Sequence, residues 1–214
     1  MNSYDYILGK YQITPGRQYS IEIPNMGRNE LAKLFAELGF STGVEIGVDQ
    51  GEYSEMLCLS NPNLTLTGID PYRADSYDPG LASISDSQQY LDEIYAKAQE
   101  RVKNLPVTLL RKTSMEAVTE FEDNSLDFVY IDGHHDFVHV TNDIHHWLPK
   151  IKVGGILSGH DYAKFPTGKQ NHVKSVVDAY FTSYRMIPYF IVGLFEMKPG
   201  LIRDRYRSWF YIKK

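Results

Sequence analysis

Five of the chain's seven histidines lie in one stretch, DGHHDFVHVTNDIHH, at residues 132–146. Histidine is the commonest metal-binding side chain and also titrates near neutral pH, so these residues could bind a metal ion or move protons. A helical pattern begins near Phe137, and at about 1.5 Å of rise per residue His145 and His146 lie about 15 Å from His135. They cannot share an ion with it, and they suit the negative end of the helix dipole.

The other end of the stretch offers more specific chemistry. His135 and His139 lie on one helix face, four residues apart, as in some zinc sites. A third ligand with suitable spacing is not evident, so a structural zinc site is disfavoured, and His134 is expected to face solvent. Asp132 and His135 then stand out as a carboxylate and an imidazole at a strand–helix junction. The alternative for His135 is a polar cap on the helix.

The surrounding segments alternate between two periodicities. Five short apolar runs are typical of strands that are buried on both faces; they are 43–48, 64–70, 107–112, 126–132 and 154–160. Between and around them lie amphipathic helical patterns at 28–40, 53–60, 87–104, 114–121, 137–151 and 174–185. Strands that alternate with helices predict an α/β fold with a parallel sheet and right-handed crossovers.

The C-terminal part changes character. Aromatic and β-branched runs at 188–197 and 207–214 flank a turn signal at Pro199-Gly200, which predicts an antiparallel strand pair at one sheet edge. Together these elements predict a Rossmann-like, doubly wound, seven-stranded sheet with an antiparallel C-terminal strand pair. Residues 1–27 have no clear periodicity and are interpreted as an N-terminal arm or lid. Residues 28–214 are interpreted as one domain, as the length of 214 residues allows.

Composition excludes several classes of partner. A net charge of −5 provides no bulk attraction to nucleic acid or to an anionic membrane surface. Cys58 is the one cysteine, so no intrachain disulfide can form, and its apolar neighbours predict a core position. The first residues do not resemble a signal peptide, and no apolar run is long enough for a membrane span. We therefore expect a cytoplasmic protein without nucleic-acid or membrane partners; assembly into a homo-oligomer is left open.

A glycine-bearing turn follows the first strand in VEIGVDQG. Gly47 lets the backbone approach a ligand closely, and Gly51 opens the next helix, whose amides can meet an anionic group. Asp70 ends the next strand, where an acidic group can accept hydrogen bonds from ribose hydroxyls. Its structural alternative is an N-cap or an Asx turn with Pro71. The turn begins Glu-x-Gly, from Glu45, and lacks the Gly-x-Gly-x-x-Gly spacing, which disfavours a nicotinamide dehydrogenase.

VEIGVDQG followed by LTGID resembles the first two motifs of the class I S-adenosylmethionine-dependent methyltransferases. The resemblance implies that the first motif holds the methionine part of S-adenosyl-L-methionine and that the acidic residue binds its ribose. The resemblance also implies that the adenine contacts lie in KTSMEAV, after the third strand. The alternative there is an N-cap serine and a core methionine. The implied cofactor-binding residues are Glu45, Gly47, Gly51, Asp70, Ser114, Met115 and Asp132.

The later motifs IDGHHDF, DI, W, GG and HD resemble those of a narrower branch, which contains metal-dependent O-methyltransferases of sugars and other small molecules. Asp132 ends the fourth strand, and His160 and Asp161 end the fifth. Adjacent parallel strands lie about 4.8 Å apart, so these three side chains can share one metal ion. The resemblance implies that His135 is the general base. Phe137 stands where the branch usually has tyrosine.

His160 departs from the branch, whose metal-dependent members carry a carboxylate at that position. Carboxylates suit Mg²⁺, whereas imidazole is a poor Mg²⁺ ligand and suits Mn²⁺, Fe²⁺, Ni²⁺ or Zn²⁺ better. Three interpretations are left open: a metal other than Mg²⁺, an orienting role for His160, or a site without metal. The expected cofactors are therefore S-adenosyl-L-methionine and, if the site is real, a divalent metal such as Mg²⁺ or Mn²⁺.

The methyl acceptor is not encoded in these motifs. Segments 71–90 and 162–172 could form walls of an acceptor site, with Tyr72, Arg73, Tyr162 and Lys164 as polar or aromatic contacts. The prediction is methyl transfer to a hydroxyl of a small molecule, of which a sugar is one candidate, assisted by metal and by a histidine base. The alternatives are a methyltransferase-like binding or scaffold protein without turnover, and another nucleotide-binding Rossmann-like enzyme.

Overall fold

A computed structural model of the protein describes residues 2–74, 87–165 and 171–214. The helices are α1 (Ser3–Lys10), α2 (Arg28–Glu37), α3 (Glu52–Ser60), α4 (Gln88–Val102), α5 (Ser114–Ala117), α6 (Phe137–Trp147) and α7 (Val173–Ser183). The strands are β1 (Ser20–Ile23), β2 (Thr42–Ile46), β3 (Thr65–Ile69), β4 (Val107–Leu110), β5 (Leu126–Ile131), β6 (Ile151–Gly159), β7 (Tyr189–Val192) and β8 (Trp209–Ile212). Short 3₁₀ turns at Val118–Glu120 and Leu148–Lys150 follow α5 and α6.

One sheet joins these strands in the order β1-β7-β8-β6-β5-β2-β3-β4. From β6 to β4 all neighbours are parallel, and β8 runs antiparallel to both β6 and β7. The predicted α/β class, doubly wound sheet and antiparallel C-terminal pair are confirmed. Two details were wrong: the described sheet has eight strands rather than seven, and the C-terminal pair does not form the edge.

The eighth strand, β1, comes from the segment that showed no periodicity. Ile21 and Ile23 are buried and alternate with the exposed Glu22, and β1 pairs in parallel with β7. Four residues are too few to establish a period-two pattern in the sequence. In the structure β1 satisfies the backbone groups of β7 that would otherwise lie at the sheet edge. The predicted role of the N-terminal segment as an arm or lid stays a prediction.

Apolar side chains fill both faces of the sheet. Trp147 and Phe181 pack with Trp209 on one face, below α6 and α7, and all three are fully buried. Phe35 stacks on Phe128 on the other face, with ring centroids 4.2 Å apart. The predicted core position of Cys58 is confirmed. No helix among the described residues has the length and apolar character that crossing a membrane requires.

Backbone hydrogen bonds continue beyond the carboxyl ends of the central strands. Gly47 donates its N–H to the carbonyl of Ile69 at 2.9 Å, and Asp132 donates to Ile46 at 2.7 Å. His160 continues the pattern by donating to the carbonyl of Ile131 at 3.0 Å. These bonds hold the residues that follow β2, β5 and β6 at one edge of the sheet, where ligands bind in doubly wound folds.

Candidate active site

A cavity of about 560 Å³ lies at this carboxyl edge, which is within the size range of small-molecule sites. Its lining comes from the ends of β2, β3 and β5, from the first residues of α2, α3 and α5, and from the first two turns of α6. Of the seven predicted cofactor residues, six line it and Gly51 does not. The lining residues that the predictions named are Glu45, Gly47, Asp70, Ser114, Met115, Asp132 and His135.

Gly47 is required by the close approach of two strand ends. Its φ is +86°, and a Cβ atom there would lie 2.2 Å from the backbone oxygen of Asp132. Backbone atoms cannot yield as a flexible side chain can, so both conformation and space demand glycine at this position. The turn therefore lets β2 and β5 meet closely beside the cavity.

Gly51 opens α3, as predicted, but does not itself line the cavity. It is the N-cap of α3, with a φ of +78° and no side-chain cap. A Cβ atom there would lie 3.4 Å from Val102 and 3.5 Å from Ala98, both in α4. In the described structure Gly51 thus serves the packing of α3 on α4, and the helix that it opens reaches the cavity through Glu52 and Tyr53.

Asp70 fastens the glycine turn from the neighbouring strand. Its Oδ2 accepts hydrogen bonds from the N–H groups of Val48 at 3.0 Å and Asp49 at 3.1 Å. Its Oδ1 accepts from Tyr72 N–H at 3.1 Å, which is the Asx turn that formed the structural alternative. Burial raises the pKa of this carboxyl, while the three backbone donors oppose the shift. Because Asp70 also lines the cavity, the turn does not replace a ligand role.

Glu45 is a buried acid at the floor of the cavity. It is 2% exposed and accepts a short hydrogen bond from the hydroxyl of Ser54. Burial raises its pKa to about 8, and the nearby carboxylates of Asp132 and Asp70 add to the shift. Glu45 therefore keeps its proton at neutral pH, and a cationic ligand group beside it would favour the ionised form.

Ser114 lies in a chain of hydrogen bonds. Its hydroxyl donates to Asp143 Oδ1 at 2.5 Å and accepts from Trp147 Nε1 at 2.7 Å. Thr113, not Ser114, caps α5, so the N-cap alternative does not hold for Ser114. Burial raises the pKa of Asp143 to about 6. Met115 faces the cavity and also packs against the core, as its alternative proposed.

Asp132, His135 and Asp161 form the candidate metal cluster. One ligand atom from each lies within 4.8 Å of the others. His135 Nε2 lies 3.0 Å from Asp161 Oδ2 and 3.8 Å from Asp132 Oδ1, yet this buried nitrogen makes no aligned hydrogen bond. A buried nitrogen without a bond, beside two carboxylates, is a donor set that fits a divalent cation. Asp136 caps α6, so the capping alternative for His135 does not hold.

His160 stands beside this cluster at longer distances. Its Nδ1 lies 3.7 Å from Asp132 Oδ1 and 3.5 Å from Asp161 Oδ2. Burial lowers the pKa of His135, but the two carboxylates outweigh burial and raise it to about 10. Burial would raise the pKa of Asp161, but the two imidazoles hold it well below its usual range. The four side chains are therefore strongly coupled in charge.

The segment that follows β6 returns to this cluster. Asn171 donates from its side chain to the carbonyl of Asp161 at 3.2 Å, and His172 N–H donates to the carbonyl of His135 at 2.7 Å. These two bonds fix the backbone at both sides of the cluster. Residues 75–86 and 166–170, which belong to the two predicted acceptor walls, lie outside the described residues.

A second group of ligand-type residues, His134, Asp136 and His139, has another explanation. Asp136 accepts from the N–H groups of Val138 and His139 at 2.9 and 3.1 Å, as a helix cap does. The two imidazole rings are stacked, with centroids 4.6 Å apart and planes at 30°. The ligand atoms of the three residues lie within 4.8 Å of one another, but His139 Nδ1 is already bonded to Asp136 Oδ2 at 2.5 Å. His134 is partly exposed and lines the cavity.

Several lining residues were missed by sequence reasoning. Arg28 begins α2 with Nη1 at 3.9 Å from Asp132 Oδ2, and Tyr53 and Asp143 also line the cavity. Arg28 and Tyr53 look like ordinary amphipathic-helix residues in the sequence. Asp143 belonged to a recognised motif, but nothing in its spacing showed that it would be buried against Ser114.

A doubly wound sheet with a glycine turn, a strand-end Asp70 and a cavity at its carboxyl edge defines the class of α/β enzymes that bind nucleotide-like cofactors. Within that class, residues 44–162, more than half of the chain, match the family model described as "Methyltransferase domain". The chain belongs to this family, and the prediction of a methyltransferase is confirmed.

Several solved structures share the fold of this chain. The O-methyltransferase from Bacillus cereus, in complex with SAH, has a TM-score of 0.59 at 12% identity, covering 99% of this chain and 87% of that one. The O-methyltransferase TomG from Streptomyces achromogenes, involved in tomaymycin synthesis and in complex with SAM, has a TM-score of 0.60 at 12% identity. That comparison covers 100% of this chain and 97% of TomG. At such identities the likeness establishes the fold.

A curated relative matches over a short stretch. The uncharacterized protein y4gI of Sinorhizobium fredii is 40% identical over 53 residues, which is 25% of this chain. This chain spans 6% of that protein's length. The match adds no information on activity.

Proposed function

We propose that the protein transfers a methyl group from S-adenosyl-L-methionine to a hydroxyl group of a small molecule. The observation that carries the proposal is the shared wall at Asp132, whose side chain borders both the cavity and the His135–Asp161 cluster. A cofactor in the cavity would thus lie next to groups that can hold and deprotonate a hydroxyl. Membership of the methyltransferase family and the O-methyltransferases among the structural neighbours support it.

The lining suggests how the cofactor would lie. Asp70 would accept hydrogen bonds from the ribose, because Oδ1 has one backbone donor and retains acceptor capacity. Ser114 and Met115 would border the adenine at the α5 side. Glu45 and Gly47, at the β2 end, would border the methionine part. This arrangement would bring the transferable methyl group toward Asp132.

We further propose a divalent cation on the carboxylates of Asp132 and Asp161. The cation would hold the acceptor hydroxyl and lower its pKa. An imidazole in or beside the set favours Mn²⁺ over Mg²⁺, which prefers oxygen ligands. His160 would complete or orient the set, since its Nδ1 faces both carboxylates.

The charge coupling makes a base role for His135 depend on the proposed cation. With its pKa raised to about 10 by Asp132 and Asp161, His135 keeps its proton at neutral pH and cannot accept another. A cation bound to the two carboxylates would offset their negative charge, which is what raises the pKa of His135. The imidazole would then titrate nearer neutral pH, where a general base is most effective. A base role for His135 is thus better compatible with an occupied cation site than with an empty one.

Two of the residues predicted to contact the acceptor, Tyr162 and Tyr72, are buried and bond to other parts of the protein. Tyr162 is 4% exposed and donates its hydroxyl to Asp178 Oδ1 at 2.6 Å, while Tyr72 is 1% exposed and donates to the carbonyl of Asp49. Neither presents a wall to an acceptor. We propose a hydroxylated small molecule as the acceptor class, because the Asp132–His135–Asp161 cluster beside the cavity can hold and deprotonate a hydroxyl; a sugar is one candidate.

The test is methyl transfer from labelled S-adenosylmethionine to a panel of sugars, catechols and other hydroxylated acceptors, before and after removal of metal. We expect activity to fall on chelation and to return with Mn²⁺. His135→Gln should lower kcat by about 10²- to 10⁴-fold, as loss of a general base does. Its Mn²⁺ affinity should fall less than that of Asp161→Asn.

His145→Gln is the matched control for this test, because His145 lies at the far end of α6 and bonds to Tyr180. It should keep both activity and Mn²⁺ binding. Methylation that survives chelation would contradict the metal proposal. Cofactor binding without methylation of any acceptor would favour the scaffold alternative.

A further inference from the structure

We propose that Arg28 pairs with the α-carboxylate of the amino-acid part of the cofactor, and so selects cofactors that carry an intact amino acid. The inference rests on the proposed function, since it names a recognition residue of that same site.

The described lining is acidic. Arg28 is the one lysine or arginine among the described residues that line the cavity. A ligand that carries a carboxylate would meet repulsion near the ionised carboxylates of this wall, because like charges disfavour each other at short range. The acidic lining residues are Glu45, Asp49, Glu52, Asp70, Asp132 and Asp143.

The backbone of Arg28 is held firmly at the methionine end of the cavity. Its N–H donates to Asp204 Oδ2, and its carbonyl accepts from the Tyr53 hydroxyl at 2.8 Å. The guanidinium carbon lies 5.4 Å from the ring centroid of Tyr53, at the start of α3. The charge of Arg28 therefore stands between the first turn of α3 and Asp132.

The guanidinium retains its hydrogen-bonding capacity. Within the described residues its polar contact is the ion pair with Asp132 Oδ2 at 3.9 Å, which is too long for a hydrogen bond. An arginine fork can donate two parallel hydrogen bonds to a carboxylate. The side chain is 35% exposed, so it can adjust to a ligand.

The groups around Arg28 suit the two charges of a zwitterion. The amides that open α3 lie on the same side as Arg28, and no side chain caps them. Glu45 and Asp132 offer carboxyl groups to the α-ammonium group of the same amino acid. The Oδ2 side of Asp132 faces Arg28, whereas Oδ1 faces His135 and His160, so the amino-acid contact does not compete with the candidate cation.

The experiment is calorimetric titration of the full chain with two ligands, S-adenosylhomocysteine and 5′-methylthioadenosine. The second keeps the adenosine and the sulfur but lacks the amino acid. We expect Arg28→Gln to raise the Kd of S-adenosylhomocysteine about 10- to 100-fold, as loss of a charge-assisted pair does, and to change that of 5′-methylthioadenosine less than about 3-fold. Arg28→Lys should lie between, because it keeps the charge and loses the fork.

Lys33→Gln, on the exposed part of α2, is the matched control and should bind both ligands as the unmodified protein does. An equal loss for both ligands, or no loss for either, would overturn the inference. Unchanged cofactor binding with a raised acceptor KM would overturn it too and assign Arg28 to the acceptor. If the unmodified protein binds 5′-methylthioadenosine but not S-adenosylhomocysteine, the inference fails alone; if it binds neither, the proposed function fails with it.

Discussion

Asp132→Asn should lower kcat/KM for methyl transfer at least about 1,000-fold, a loss of about 4 kcal/mol of transition-state stabilisation, while the fold is kept. Asp132 and His135 line the cavity and belong to the candidate metal cluster, and Asp132 is the carboxylate that the two share. Its Oδ1 lies 3.8 Å from His135 Nε2, and its Oδ2 lies 3.9 Å from Arg28 Nη1. Asparagine has the same shape, but its neutral amide removes the charge on which both neighbours depend.

The fold should survive because the structural bond of Asp132 is made by its backbone N–H to Ile46, which the substitution does not alter. Steady-state kinetics and thermal unfolding of the same preparations measure the two effects separately. Asp123→Asn is the matched control, since Asp123 is exposed and pairs with Lys150 away from the cavity. Activity of Asp132→Asn within tenfold of the unmodified protein would contradict its central role.

Gly47→Ala should have the largest effect on stability, with a loss of about 3 kcal/mol or more in the free energy of unfolding. The added Cβ would lie 2.2 Å from the oxygen and 2.5 Å from the carbon of the Asp132 carbonyl group. The φ of +86° adds backbone strain. β2 and β5 cannot separate to relieve the clash without weakening the bond between Asp132 N–H and the carbonyl of Ile46.

Urea unfolding followed by circular dichroism measures this loss. Gly133→Ala is a close control, because its added Cβ would meet Ile46 at 3.5 Å, an ordinary contact, and its φ is not in the left-handed region. We expect Gly133→Ala to cost less than about 1 kcal/mol, as surface and loop substitutions without a clash do. Equal stability of the two variants would show that the close approach of the strands does not constrain Gly47.

The central strands were predictable because each is a continuous apolar run that alternates with a helix. That alternation alone brings Asp70, Asp132 and Asp161 to one edge of the sheet, since they follow parallel strands. β1 was not predictable, because its pairing with β7 depends on a distant part of the chain. The insertion of β8 between β6 and β7 likewise follows from tertiary packing and not from a local pattern.

The site was predicted less completely than the sheet. The strand-end carboxylates follow from topology, but the orientation of His135 and His160 depends on side-chain torsions and on the bonds from Asn171 and His172. The spacing of residues in the sequence gives no information on these torsions or on these bonds. The glycines show the same limit: the pattern marks Gly47 and Gly51 alike, yet one lies under the Asp132 backbone and the other packs against α4. Arg28 was missed because its role depends on the cavity, which only the folded chain forms.

The central claim is that this methyltransferase-family protein uses S-adenosylmethionine in the cavity beside Asp132. Calorimetric titration of the unmodified protein with S-adenosylmethionine tests it most directly. We expect one site per chain with a Kd of about 1–100 μM, equivalent to about 5.5–8 kcal/mol of binding free energy. No detectable binding at millimolar cofactor would contradict it.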